Sequence, residues 1–289
     1  MILIILLLLC LIGLVVTGSN VGWGPFAFLK YNKKPILLSD VEFQYTIEEL
    51  WIENKIYGKL YKVNETKRPI VILSHGYNGS NEYNKFIAKS LAKSGINVYA
   101  FDFRGGGTKS KSDGSPLNMS LMSEKDDLNN VIDCVEQLDF VDTNNIFLLG
   151  ESQGGCVSAL VAALKNDIKG LILYFPAFCI PEDANKRFEN ISNIPETDKP
   201  FNGLTIGKKY YEDILNLDIY KEIARYKGPV LLLHGTNDHT VAYSYSVKAN
   251  EVYKDSRLIK FENDGHGFNS KNSEKALAYA YEFIREHLR

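Results

Sequence analysis

One pentapeptide constrains this chain more than any other stretch: Gly150-Glu151-Ser152-Gln153-Gly154. The apolar run Ile146-Phe147-Leu148-Leu149 leads into it, and the small, helix-forming residues 156–164 follow. That pattern reads as a strand, a sharp glycine-lined turn and a helix. At such a turn the serine backbone is forced into a strained conformation that lifts its hydroxyl clear of the sheet, and small residues two positions either side let strand and helix approach. Ser152 is therefore placed as a nucleophile. The competing reading, an ordinary small residue at a helix N-terminus, does not account for the preceding strand and the second glycine.

A serine hydroxyl attacks poorly at neutral pH unless a histidine takes its proton and a buried carboxylate orients that histidine. The chain has five histidines. His287 falls in a charged C-terminal helix, and His75 and His234 each close an apolar run before a glycine, which suits a structural or oxyanion-loop role. His266 differs: it sits in the glycine-flanked loop Asn263-Asp264-Gly265-His266-Gly267-Phe268, directly after the strand-like Leu258-Ile259-Lys260-Phe261. The carboxylate is Asp238, in a loop after the strand-like Val230-Leu231-Leu232-Leu233. Asp264 is the alternative, but it is too close in sequence to His266 to face its ring easily, and Asp238 could instead cap a helix starting near Tyr243. Three catalytic residue types thus end three strands, in the order Ser, Asp, His.

These residues resemble the α/β-hydrolase family, whose triad follows that chain order and sits on loops at the carboxyl ends of a mainly parallel sheet. The resemblance runs from about residue 70 to the C-terminus and includes Leu73-Ser74-His75-Gly76-Tyr77, similar to the family's His-Gly loop, and Phe101-Asp102-Phe103-Arg104-Gly105-Gly106-Gly107 after the next strand. It implies an oxyanion hole made by the backbone N–H groups of Tyr77 and Gln153. The triglycine has neither the further glycine nor the lysine of a phosphate cradle, so it reads as a loop skirting the site.

Alternating strands and helices predict an α/β-hydrolase fold: a mainly parallel central sheet with helices on both faces and a small cap insertion. Residues 41–46 and 56–63 read as two antiparallel strands, followed by strands at 70–74, 97–103 and 168–174. Helices are expected at 81–94, 123–138 (opened by a capping-box-like Ser123-Glu124-Lys125-Asp126) and 273–288. Between the strands ending at Tyr174 and starting near Val230, residues 176–228 are too long for a simple crossover. In α/β-hydrolases an insertion here forms a cap. Tyr210 and Tyr211, or Phe178 and Phe201, are its candidates for lining a substrate pocket, against the plainer role of holding the cap to the sheet.

The chain has 289 residues, of which 45% are hydrophobic and 24% charged, enough to bury one sizeable core. A net charge of -2 with dispersed basic residues points away from nucleic acid. Residues 1–16 are almost wholly apolar and are broken by Thr17-Gly18-Ser19-Asn20, which predicts a signal peptide or membrane anchor over 1–18 and the hydrolase domain over 19–289. Export is the preferred reading. Lys30, Lys33 and Lys34 beyond the run leave an uncleaved anchor, and hence membrane attachment, as the alternative. Cys134, Cys156 and Cys179 read as packed thiols rather than a disulfide framework.

The expected chemistry is hydrolysis of a small-molecule carboxylic ester by Ser152, His266 and Asp238 through an acyl-enzyme, with no metal or organic cofactor required. The motifs look like the small capped esterases that include cinnamoyl and feruloyl esterases, and also like serine aminopeptidase-like and monoacylglycerol lipase-like relatives. A peptidase would need a polar or acidic group in the cap to hold the substrate amine, with Glu182, Asp183 and Glu212 as candidates. A non-catalytic binding protein on the same fold would be expected to lack a triad member, and none is missing.

Overall fold

Consecutive rather than alternating apolar residues mark strands covered on both faces, and runs of this kind form the middle of one sheet. The computed structural model describes residues 33–63, 67–165, 167–200 and 203–288. The leader over 1–18 and the pocket candidate Phe201 lie outside the described residues. The strands are β1 (Tyr45–Ile52), β2 (Ile56–Val63), β3 (Arg68–Ser74), β4 (Asn97–Phe101), β5 (Val141–Glu151), β6 (Gly170–Tyr174), the short β7 (Thr197–Asp198) and β8 (Ile206–Gly207), β9 (Val230–Gly235) and β10 (Ser256–Phe261). The helices are α1 (Lys85–Lys93), α2 (Leu121–Val135), α3 (Gln153–Ala162), α4 (Ile180–Arg187), α5 (Lys209–Glu212), α6 (Ile219–Ile223), α7 (Tyr243–Val252) and α8 (Ser270–His287). Eight strands form one sheet in the order β1-β2-β4-β3-β5-β6-β9-β10. The β1–β2 and β2–β4 pairs are antiparallel and every later pair is parallel. This is the mainly parallel α/β architecture that the alternation predicts.

The strand period of two divides the core. Ile70 and Ile72 of β3, with Ile146 and Leu148 of β5, face one cluster with α2, α3, α6 and the buried side chains of residues 176–228. Val71 and Leu73, with Phe147 and Leu149, face the other, built with α1 and α8. Both faces are therefore covered, and the carboxyl ends of β3, β5, β9 and β10 open toward the same rim.

Several boundaries shift by a few residues from the sequence reading, and two of the shifts have a clear physical cause. The first strand spans Tyr45–Ile52 rather than 41–46, and it ends at Ile52 because Glu53 and Asn54 both take a left-handed backbone (φ 50° and 55°) and the Lys55 N–H closes a tight turn on the Ile52 carbonyl at 3.0 Å. Nothing in Glu-Asn announces that turn as strongly as Asn-Gly would. Helix α2 begins one residue after Ser120, whose hydroxyl accepts from the Ser123 N–H in a reciprocal capping box, so Ser123 closes the box instead of opening it. Such a cap contributes about 1 kcal/mol.

Between β6 and β9, residues 176–228 hold α4, the antiparallel β7–β8 pair, α5 and α6. Among the described residues no helix is long and apolar enough to cross a membrane, and Cys134, Cys156 and Cys179 are all free thiols. Because Leu148 is wholly buried between the sheet and α2 and α3, Leu148→Ala is expected to destabilise the fold by about 2–5 kcal/mol through lost burial and the cavity left behind, measured by urea unfolding.

Candidate active site

At the β5–α3 junction Ser152 has φ 53° and ψ -120°, a conformation that side chains rarely adopt. Four backbone hydrogen bonds hold it there. The Ser152 N–H donates to the Tyr174 carbonyl at 3.0 Å, and the Ser152 carbonyl accepts from the N–H groups of Gly155 (3.0 Å), Cys156 (3.1 Å) and Ala177 (2.9 Å). The flanking glycines are there for space: a Cβ on Gly150 would lie 2.4 Å from the Gly154 carbonyl oxygen, and one on Gly154 would lie 2.3 Å from that of His75.

The serine hydroxyl meets the two other residues singled out in the sequence. Ser152 Oγ lies 3.0 Å from His266 Nε2, and His266 Nδ1 lies 2.7 Å from Asp238 Oδ2. With the aspartate ionised, Nδ1 carries the proton donated to it, which leaves Nε2 to accept from the serine hydroxyl. Phe175 packs edge-on against the imidazole, with ring centroids 4.6 Å apart. Asp264, the alternative carboxylate, is used otherwise: it accepts from the N–H and side-chain amide of Asn269 and from Asn272 Nδ2, pinning the start of α8. Asp238 does not cap α7, whose N-cap position is Ala242.

Burial by itself would raise the Asp238 carboxyl. Hydrogen bonds from His234 and His266, the positive charge His266 carries when protonated, and the Val241 N–H overcome it and hold the group well below the usual carboxylate range. His234 is the partner that sequence reasoning missed. Its Nε2 faces both the Val241 carbonyl (2.9 Å) and Asp238 Oδ2 (3.2 Å), while its Nδ1 lies 2.7 Å from Ser246 Oγ. The only signal was its place at the end of the strand preceding Asp238.

The loop after β3 lies against Ser152: a Cβ on Gly76 would sit 3.1 Å from Ser152 Cβ and 3.7 Å from its Oγ. His75 braces this loop, Nδ1 donating to the Gly76 carbonyl at 2.7 Å and Nε2 accepting from the Phe103 N–H at 3.0 Å. Burial lowers its pKa, favouring the neutral ring this pattern needs. Asp102, also buried, accepts from the Asn81 N–H and from the Lys111 N–H, tying the triglycine loop to the same platform. Tyr77 follows Gly76 directly, and its hydroxyl donates to the Leu204 carbonyl at 3.3 Å. Gln153 is the first residue of α3, where backbone N–H groups have no acceptor within the helix.

Both candidate pocket tyrosines are buried and bonded to protein. The Tyr210 hydroxyl donates to Gln153 Oε1 at 2.7 Å, and the Tyr211 hydroxyl donates to Asp198 Oδ2 at 2.5 Å. Phe178, itself part of the 176–228 segment, is buried too, packed into the core. Glu124, read from sequence only as part of a cap motif, lies buried beside Gln153 and accepts from its Nε2 at 2.9 Å. Among the described residues no group of three or more His, Cys, Asp and Glu is placed to hold a metal ion.

Comparison with known proteins finds hydrolases of the same fold. The family model described as serine aminopeptidase, S33, matches residues 65–203. The AB hydrolase superfamily protein YisY of Bacillus subtilis is 26% identical over 254 residues, covering 75% of this chain and 91% of that protein. A proline iminopeptidase of Saccharolobus solfataricus is 27% identical over 287 residues, covering 79% and 88%. Among solved structures, Est1E from Butyrivibrio proteoclasticus with ferulic acid bound has 29% identity and a TM-score of 0.74, covering 83% of this chain and 98% of that one.

Gly154→Ala would press a methyl group onto the Ser74 and His75 carbonyls, which belong to β3 and the loop at the site. The expected outcome is about 1–3 kcal/mol of destabilisation in calorimetry, together with slower labelling of the protein by a fluorophosphonate.

Proposed function

We propose that this chain, a hydrolase with the α/β-hydrolase fold and a likeness to small esterases and serine aminopeptidases, cleaves carboxylic esters through an acyl-enzyme on Ser152. The observation that carries this reading is the continuous chain Oγ(Ser152)–Nε2(His266), 3.0 Å, and Nδ1(His266)–Oδ2(Asp238), 2.7 Å, ending at a serine on a strained turn. His266 takes the serine proton as Oγ attacks the ester carbonyl. The N–H groups of Tyr77 and Gln153 bind the resulting oxyanion, each donor being worth roughly 10²–10³ in rate. Collapse transfers the proton from His266 to the departing alkoxide and leaves the acyl group on Ser152. A water molecule then gives its proton to His266, attacks the acyl carbonyl and releases the carboxylic acid. Asp238 stabilises the imidazolium in both halves without taking its proton. Residues 176–228 act as the cap.

The aminopeptidase reading draws on the family model and the proline iminopeptidase. It needs an acid to hold a substrate ammonium. The cap acids singled out for that role have partners at home: Glu182 pairs with Lys186 at 2.5 Å, Glu212 with Lys208 at 3.4 Å, and Asp183 bonds with the Cys179 thiol. That favours a neutral ester, and the likeness to a ferulate-binding esterase makes hydroxycinnamoyl esters the first class to assay.

Turnover of p-nitrophenyl and hydroxycinnamoyl esters should exceed that of aminoacyl anilides. Ser152→Ala is expected to lower kcat by about 10⁴-fold or more, and Asp238→Asn by on the order of 10³–10⁴ by leaving His266 in the wrong tautomer. Faster cleavage of anilides than of esters would reverse the substrate assignment, and full activity in Ser152→Ala would end the mechanism.

A further inference from the structure

Resting on the acyl-transfer reading, we propose that Glu124 is a positioning residue: through the Gln153 side chain it fixes the peptide that holds the oxyanion and, by way of Tyr210, latches the cap to that peptide. Gln153 contributes its backbone N–H to the reaction, yet its side chain is buried under the site and spans two elements. Its Nε2 donates to Glu124 Oε2 of α2 at 2.9 Å and lies 3.6 Å from Met119 Sδ, and its Oε1 accepts from the Tyr210 hydroxyl of α5 at 2.7 Å. All three polar side chains are buried. One turn earlier the same helix end is tied to the cap again, where the Ser120 hydroxyl donates to Asp213 Oδ2 at 2.5 Å. A glutamine held at both ends of its amide has one rotamer, and its Cα and N–H direction are fixed with it.

The charge state of Glu124 suits that task. Burial pushes its carboxyl up to about 8, with the Gln153 hydrogen bond pulling back and the Asp127 charge adding to the rise. The ionisable groups around it are Asp127 one turn along α2, which Arg104 engages through its backbone N–H and Nε, Cys156 on α3 and Tyr210 on α5. That rise favours the neutral acid at pH 7, which offers an acceptor to the Gln153 amide without setting a negative charge near the place where an oxyanion develops. Ionisation above pH 8 adds that charge, and charge of like sign opposes the transition state.

The test uses the full chain and Glu124→Gln, Glu124→Leu and Tyr210→Phe. It measures kcat and KM for a p-nitrophenyl ester from pH 6 to 10, the rate of Ser152 labelling by a fluorophosphonate, and melting temperature against pH. Glu124→Leu should cut kcat by about 10–100-fold and slow labelling in parallel while labelling still reaches completion. Glutamine mimics the neutral acid, so Glu124→Gln should restore kcat to within about threefold at pH 7 and abolish the wild-type fall in kcat above pH 8. Tyr210→Phe should raise KM more than it lowers kcat. A carboxyl raised on folding gives stability that is full below its unfolded value of 4.5 and is lost as pH rises through about 8. The wild-type melting temperature should accordingly fall over that window more steeply than that of Glu124→Gln.

A folded Glu124→Leu with wild-type kcat, or an alkaline limb unchanged in Glu124→Gln, overturns the proposal. If the leucine variant does not fold, the pH profile of Glu124→Gln decides. A wild type that labels and turns over esters while the variants match it defeats this inference alone. One that does neither defeats the acyl-transfer reading and this inference with it.

Discussion

The left-handed backbone of Ser152 is the constraint on which the rest of this molecule depends. A non-glycine residue in such a conformation costs about 1–3 kcal/mol, and four backbone hydrogen bonds to Tyr174, Gly155, Cys156 and Ala177 offset it. Those partners lie on β6, on α3 and on the chain just beyond β6. The turn is therefore rigid only because the parallel sheet and its crossovers are already assembled. The Ser152 hydroxyl sits where several elements meet, and a loop alone would not hold it there.

Around that hydroxyl, polarity is arranged by burial. A carboxylate as enclosed as Asp238 would be costly without partners, and it is surrounded by donors: Thr240 N–H, Val241 N–H, His234 and His266. Every oxygen direction but the one toward His266 is taken by a fixed group. The remaining direction goes to His266, an arrangement that orients an imidazole without competing for its proton. His75 performs a different task with the same chemistry, its two ring nitrogens joining the loops after β3 and β4.

The segment 176–228 is held to the sheet by buried polar contacts as well as by apolar packing. Tyr210 meets Gln153, Asp213 meets Ser120, and Tyr77 meets the Leu204 carbonyl. Two of these contacts fall beside Ser152: Gln153 follows it in the chain, and Tyr77 follows Gly76, which lies against it. Buried bonds of this kind are unforgiving of small shifts, since a lost partner leaves a desolvated polar group behind. Movement of this segment and the geometry around Ser152 are in consequence physically coupled.

The primary structure determined the strand–turn–helix at Ser152, the three strand ends carrying Ser152, Asp238 and His266, and the doubly covered sheet, because apolar period and glycine placement are local properties that survive without knowing the neighbours. Ser120 as the cap of α2 and the long first hairpin were less legible, since Ser123 also fits a capping pattern and Glu53-Asn54 is a weak turn signal. Only the tertiary structure decided that Asp238 rather than Asp264 faces His266, that His234 shares the aspartate, and that Glu124, Gln153 and Tyr210 form one buried line. Apart from His234 and Asp238, which are four positions apart, those are contacts between residues 28 to 57 positions apart in the sequence. No local pattern encodes them, because which polar groups meet depends on how the helices and the 176–228 segment settle onto the sheet, and burial then sets their charge.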